Sequence, residues 1–201
     1  ARVGGIEYNR THPGSLFHDN AVMGLNMLEA SRVGGVSKFV GIGSVCAYPK
    51  KVSIPTREED LWLGYPEESN AAYGLSKKML LVQSQAYHAQ YHMNTIYLLL
   101  ANLYGPGDNF NPKESHVIPA LIHRMTEARK KKWPSISLWG TGNATRDFLY
   151  VKNAVDGILQ ATEFYDKPAP INLAGGNEIS IKELAQIIKK EVAYDGNLIW
   201  D

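Results

Sequence analysis

Two apolar runs of strand length, with one long helical segment between them, constrain this chain most. Lys38 to Ser44 reads as a buried strand, and Thr95 to Leu100, TIYLLL, as a second. Ala71 to about Tyr91 reads as the helix between them, preceded by Ser69 and Asn70, either of which can cap it. Strands that are apolar throughout bury both faces, and helical crossovers put helices on those faces, so the pattern predicts a parallel sheet in an α/β fold.

Other segments extend this alternation. Gly14 to Arg32 reads as a helix anchored by Leu16, Phe17, Met23, Met27 and Leu28, with Gly34 and Gly35 beyond its end. After the loop YGPGDNFNPKES a helix is expected from about His116 to Lys131, then a short strand ISLWG and a turn at Thr141-Gly142-Asn143. A strand near Arg146 to Val151, a helix from about Asn153 to Tyr165 and a strand INLA follow. Ser180 and Glu183 form a capping-box pattern opening a helix to about Ala193, and Asn197 to Asp201 looks like a strand with no onward partner. Both ends read as cut, the first residues resembling a loop that leaves a strand not present.

Charge narrows the partners. With 21 basic and 20 acidic residues the net charge is +1, which gives no case for nucleic acid or an anionic membrane. The run Ala128 to Lys132 is basic but suits the negative end of a helix dipole. The single cysteine, Cys46, excludes an internal disulfide and fits a reducing compartment. No apolar run approaches the ~20 residues of a membrane span, and the first residues lack the apolar segment of a secretory signal. A soluble, cytoplasmic protein without a metal is the expectation.

Chemistry concentrates in Tyr73-Gly74-Leu75-Ser76-Lys77, inside the long helix. A spacing of four puts Tyr73 and Lys77 on one face, one turn apart. A phenol of pKa ~10 exchanges protons poorly at neutral pH, and a neighbouring ammonium favours its anion. Ser44, closing the first strand, can hydrogen-bond the same oxygen or a substrate oxygen. The trio is suited to interconverting a carbonyl and an alcohol.

Ser44, Tyr73 and Lys77 together resemble the triad of the extended short-chain dehydrogenase/reductases, a Rossmann-type family. Asn102-Leu103-Tyr104-Gly105-Pro106 resembles the turn after their sixth strand, and Arg146 to Val151 another of their recurrent segments. VGGI (Val3–Ile6), SVCAYPK (Ser44–Lys50), NLYGPGDNFNP (Asn102–Pro112), SHVIPALIHR (Ser115–Arg124) and WGTGNATRDFLYV (Trp139–Val151) are similar to the GDP-L-fucose synthase family. That resemblance implies NADPH-dependent 3,5-epimerisation and 4-keto reduction of GDP-4-keto-6-deoxy-D-mannose to GDP-L-fucose. The alternatives are another nucleotide-sugar epimerase or dehydratase, or a fragment inactive for want of the cofactor's pyrophosphate site.

The resemblance also assigns residues. Cys46 and His116 take the epimerisation acid/base roles beside Ser44, Tyr73 and Lys77. Near a strand end, positions 44 and 46 face the same side, so Ser44 and Cys46 can both point at one sugar. A thiol of pKa ~8.5 and an imidazole can both trade protons near neutrality. Against this, a free cysteine usually packs as a small hydrophobe, and a histidine at a helix start can simply bond backbone. His12, His18, His88, His92 and His123 lack comparable context. The NADP(H) site is implied at Ile42, Gly43, Ser44, Val45, Tyr73, Lys77, Leu100, Ala101, Asn102, Leu103 and His116. The GDP-sugar is implied at Asn102, Asn109, Arg124, Trp139 and Arg146, where arginine forks suit a diphosphate. Arg124 can equally be a solvated helix face and Trp139 a core aromatic.

Two departures from the family touch the nicotinamide wall: Leu100-Ala101 stand where Pro-Thr is usual, and Val45 where a second serine is common. No Gly-x-x-Gly-x-x-Gly turn occurs in the chain. Residues 1–103 are expected to be the C-terminal part of a dinucleotide-binding domain lacking its first strands. Residues 104–201 are expected to be mainly substrate-binding, with 146–174 returning to the first sheet. The helices 14–32 and 71–91 resemble those of a homodimer contact in the family.

Overall fold

The computed structural model describes residues 1–112 and 114–201. Its elements in chain order are α1 (Ile6–Thr11), α2 (Pro13–Val33), β1 (Phe39–Ser44), α3 (Ala71–Tyr91), β2 (Thr95–Leu100), β3 (Asn102–Tyr104), α4 (Val117–Lys130), β4 (Ser135–Leu138), β5 (Thr145–Tyr150), α5 (Val151–Phe164), β6 (Pro170–Leu173), β7 (Glu178–Ser180), α6 (Ile181–Glu191) and β8 (Asn197–Trp200). Short 3-10 turns lie at Val45–Ala47 and Glu58–Trp62.

The first sheet has the order β1-β2-β6 and is parallel throughout, with Phe39 opposite Thr95, Ser44 opposite Leu100, and Leu100 opposite Leu173. All six residues of β2 are buried, and their alternation shows why. Tyr97 and Leu99 pack with Leu28 of α2 and Leu80 and Leu81 of α3. Ile96, Leu98 and Leu100 pack with Ile158, Ala161 and Tyr165 from α5 and the residue after it. One strand thus feeds two cores, and each fully buried aliphatic side chain contributes roughly 1.5–3 kcal/mol of transfer free energy.

A second sheet, β3-β5-β7, adjoins the first; β3 runs parallel to β5, and β7 antiparallel to it. A two-stranded sheet pairs β4 with β8 in parallel, Ser135 opposite Asn197. It shares a third core with α4 and α6, including Leu121, Met125, Ile136, Leu138, Leu184 and Ile188. Ser180 and Glu183 close the expected capping box on α6.

Several expectations need correction. The final strand is not without a partner, because β8 continues the sheet of β4. Asn102–Tyr104 of the NLYGP segment is a short strand before it turns. Residues 45–47 leave the strand as a 3-10 turn, so the two-residue period that was to align positions 44 and 46 does not apply. α1 and β7 were not foreseen: both are short, and their apolar pattern is too brief to show a period. Among the described residues no helix is long and apolar enough to cross a membrane.

Candidate active site

The candidate site forms where β1 ends against the first turn of α3. Ser44 is the last residue of β1, and its Oγ accepts the Cys46 amide N–H at 3.2 Å. That bond closes the 3-10 turn, and it, rather than strand alternation, brings residue 46 back toward Ser44. The turn lies directly against α3. A Cβ on Gly74 would stand 2.4 Å from the Cys46 carbonyl oxygen, so only glycine permits this approach. Gly74 follows Tyr73, and the close contact therefore sets the phenol beside the thiol's turn.

Lys77 lies one turn further along. Its Nζ donates to the Ile42 carbonyl at 2.9 Å and sits 5.7 Å from the centroid of the Tyr73 ring. The carbonyl of Lys77 accepts the Tyr97 hydroxyl at 2.7 Å, and the Tyr97 ring lies over Gly41 and Gly43. β2 thus fixes α3 at the level of the lysine. Tyr97 was read only as part of an apolar strand; the signal available was that a buried phenol needs an acceptor.

The electrostatics differ from the sequence expectation. The Tyr73 hydroxyl is pushed up to about 12, first by burial and then by the adjacent Cys46, with the Ser44 side chain pulling the other way. Lys77 does not lower it, because the ammonium is directed to the Ile42 carbonyl and lies over the ring. Burial lowers the pKa of Lys77 itself. At neutral pH Tyr73 is therefore a protonated donor, not a phenolate.

These tyrosines make the fold sensitive to alkali. Tyr48 also rises to about 12 by burial, and Tyr97 rises for the same reason. Between 10.0, the ordinary phenol value, and about 12 the unfolded chain loses these protons while the folded chain keeps them. Stability is full below that window and falls as pH rises through it. Absorbance titration should show Tyr48, Tyr73 and Tyr97 ionising only above the ordinary phenol value, together with loss of the far-ultraviolet helix signal. Ionisation of all 11 in one step near pH 10 by a still-folded protein would contradict the burial of Tyr73.

The remaining candidates have varied surroundings. Ile42, Gly43, Ser44 and Val45 line the end of β1. Leu100 and Ala101 are buried in cores under the end of β2, while Leu103 is partly exposed on β3. Asn102 spends its Nδ2 on the Asp147 carbonyl at 2.9 Å, so it braces β5. Asn109 organises its own loop, its Oδ1 accepting the Asn111 amide N–H at 2.9 Å. His116 is the residue before α4; it is exposed, and its side chain makes no capping bond, which removes the backbone-bonding reading. No described contact joins it to Cys46 or Tyr73. Arg124 is exposed on α4, and Arg146 is exposed at the start of β5 with its Nη1 on the Thr145 carbonyl at 2.7 Å. Trp139 is 84% exposed, so it is no core aromatic. Among the described residues no group of histidines, cysteines and carboxylates could hold a metal.

The cofactor side can be tested against a nicotinamide nucleotide. An ammonium has three donors, and Lys77 uses one on Ile42, which leaves two for vicinal ribose hydroxyls. The ends of β1 and β2 lie in register, where nucleotides sit in open α/β sheets. The residues present fit the nicotinamide end of such a cofactor.

Known proteins share this fold. The family described as the NAD dependent epimerase/dehydratase family matches residues 1–174. A GDP-L-fucose synthase of Sinorhizobium fredii is 41% identical over 201 residues, covering 100% of this chain and 64% of its own length. The GDP-L-fucose synthase of Escherichia coli is 35% identical over 210 residues, covering 100% of this chain and 65% of its own. The crystal structure of a GDP-L-fucose synthetase from Naegleria fowleri bound to NADP is 32% identical and superposes with a TM-score of 0.86, covering 94% of this chain and 61% of that one. The chain thus spans somewhat less than two thirds of the length of the curated relatives it matches.

Proposed function

The chain belongs to the NAD dependent epimerase/dehydratase family, and on that footing we propose that it serves the NADPH-dependent 3,5-epimerisation and 4-keto reduction of GDP-4-keto-6-deoxy-D-mannose to GDP-L-fucose. The observation that carries this reading is the turn that sets Cys46 and Ser44 against Tyr73. A nucleotide-sugar epimerase or dehydratase that only oxidises and reduces uses the hydroxyls and has no task for a thiol there.

In the proposed reaction Cys46 and His116 remove and return protons at the two carbons flanking the ketone. The enolate oxygen formed each time is held by the Ser44 hydroxyl. NADPH, when bound there, would supply the hydride for the carbonyl carbon. Tyr73, protonated at neutral pH, gives its proton to the carbonyl oxygen as the alcohol forms. Lys77 would hold the nicotinamide ribose from its seat on Ile42. Arg124 and Arg146 receive the diphosphate, with Trp139 against the nucleotide and Asn102 and Asn109 on the sugar side.

A homodimer through helices 14–32 and 71–91 is part of this reading. α2 and α3 pack on each other, and Phe17, Met23, Met27 and Val82 remain exposed on them. Sedimentation equilibrium at the mass of one chain would rule the dimer out. A soluble, cytoplasmic setting fits the single free cysteine.

The activity itself is tested by mixing the purified protein with GDP-4-keto-6-deoxy-D-mannose and NADPH. The expected result is stoichiometric loss of NADPH absorbance and formation of GDP-L-fucose, read by NMR. Reduction to a 6-deoxy sugar with unchanged configuration at both flanking carbons would refute the epimerase half.

A further inference from the structure

We propose that Asp147 is a positioning residue that latches the sheet carrying the candidate triad to the sheet carrying Arg146; this deepens the GDP-sugar reading and rests on it for its substrate. The carboxylate of Asp147 accepts two consecutive backbone amides, Gly175 N–H on Oδ1 at 2.8 Å and Gly176 N–H on Oδ2 at 2.9 Å. Its backbone carbonyl accepts Asn102 Nδ2 at 2.9 Å. One residue of β5 thereby holds two other segments. Asn102 opens β3, the neighbour of β5 in the second sheet, two residues after β2 of the first sheet ends, and Gly175-Gly176 lie on the link from β6, in the first sheet, to β7, in the second.

The link is shaped for this role. A Cβ on Gly175 would stand 2.5 Å from the Phe148 carbonyl oxygen and 2.8 Å from Asp147 Oδ1, so a side chain there would displace the carboxylate. Gly176 has a φ of +83°, which a side chain rarely adopts. Just before the latch the β2–β6 ladder runs on, with Ala101 N–H donating to the Leu173 carbonyl at 3.0 Å. No cation pairs with Asp147 among the described ion pairs, so its acceptors are given to backbone. Hydrogen bonds to an ionised acceptor are the stronger kind.

Function follows from strand geometry. Successive strand residues point to opposite faces, so fixing the Asp147 side chain into the seam fixes the opposite direction for Arg146. Arg146 is exposed and, among the described residues, has only its neighbour's carbonyl as a hydrogen-bond partner. Its guanidinium is therefore aimed by the backbone that Asp147 holds. Without the latch Arg146 remains present but less well placed, which weakens diphosphate binding more than it alters the chemistry at Tyr73.

The test uses Asp147→Ala, Asp147→Glu and Asp147→Asn in the intact protein, with GDP alone as a binding probe beside the GDP-keto-sugar assay. In Asp147→Ala, amide exchange at Gly175 and Gly176 should quicken by about tenfold or more, since the acceptor is lost. The GDP dissociation constant and the KM for the GDP-keto-sugar should rise about tenfold while kcat stays within about threefold, with Asp147→Glu recovering most of the loss. If the alanine variant does not fold, Asp147→Asn, which keeps one acceptor oxygen and the volume, should show the same split at a smaller amplitude. Unchanged exchange at the two glycines would overturn the latch. So would a fall in kcat in proportion to the folded fraction, with the GDP affinity of the folded protein unaltered. A wild-type protein that binds GDP but turns over no keto-sugar would remove the reaction assigned above, while amide exchange and GDP affinity would still decide the latch.

Discussion

Replacing Tyr73 with phenylalanine should abolish ketone reduction while leaving much of the proton exchange at the sugar. The physical reason is the placement of the hydroxyl. It is held by burial as a protonated donor, beside Ser44 and above the Lys77 turn. Losing a positioned general acid lowers a rate by about 10²–10⁴. Ring packing survives, because phenylalanine keeps the aromatic body. Steady-state NADPH oxidation, set beside solvent-deuterium uptake by the keto-sugar, separates the two steps. Reduction at the wild-type rate in Tyr73→Phe would show that another group gives the proton.

Cys46→Ser should do the reverse. Serine fits the turn and keeps its amide bond to Ser44 Oγ, which comes from the backbone. A hydroxyl is a far weaker acid and base than a thiol near neutrality, so epimerisation should fall by about 10² or more. Hydride transfer to the ketone should persist, giving a product reduced without inversion at one or both carbons. NMR of the product in deuterated solvent reads both outcomes. A near-normal epimerisation rate would favour a nucleotide-sugar epimerase or dehydratase that does not use the thiol.

How far these residues spoke for themselves differs from one to the next. TIYLLL announced a strand buried on both faces, and the two cores on β2 are the reason it could. Helical spacing set Tyr73 and Lys77 on one face, and it took Ser44 closing the preceding strand to single them out. The turn at Val45–Ala47 was not, because three residues have no period, and its shape depends on a side chain of β1 reaching forward. The electrostatic expectation for Tyr73 failed for a related reason. Spacing places Lys77 near the ring, but only the fold reveals that Ile42 takes its ammonium. Asp147 lay inside a quoted motif, yet its partners at 175 and 176 are far away in sequence, and no local signal links them. β8 looked unpaired because its partner, β4, is likewise distant in the chain. His116 was chosen by resemblance, and the structure gives it an exposed place before α4 with its ring unbonded.

The central claim is that a thiol and an imidazole exchange protons on a keto-sugar that Ser44 holds by its carbonyl oxygen. It is tested most directly by incubating GDP-4-keto-6-deoxy-D-mannose with the protein in deuterated water, without reductant, and locating deuterium by NMR. The proposed chemistry predicts label at both carbons flanking the ketone, with Cys46→Ser suppressing uptake and Tyr73→Phe largely sparing it. Absence of label at both carbons in the wild-type protein, or equal uptake with and without the thiol, would contradict it.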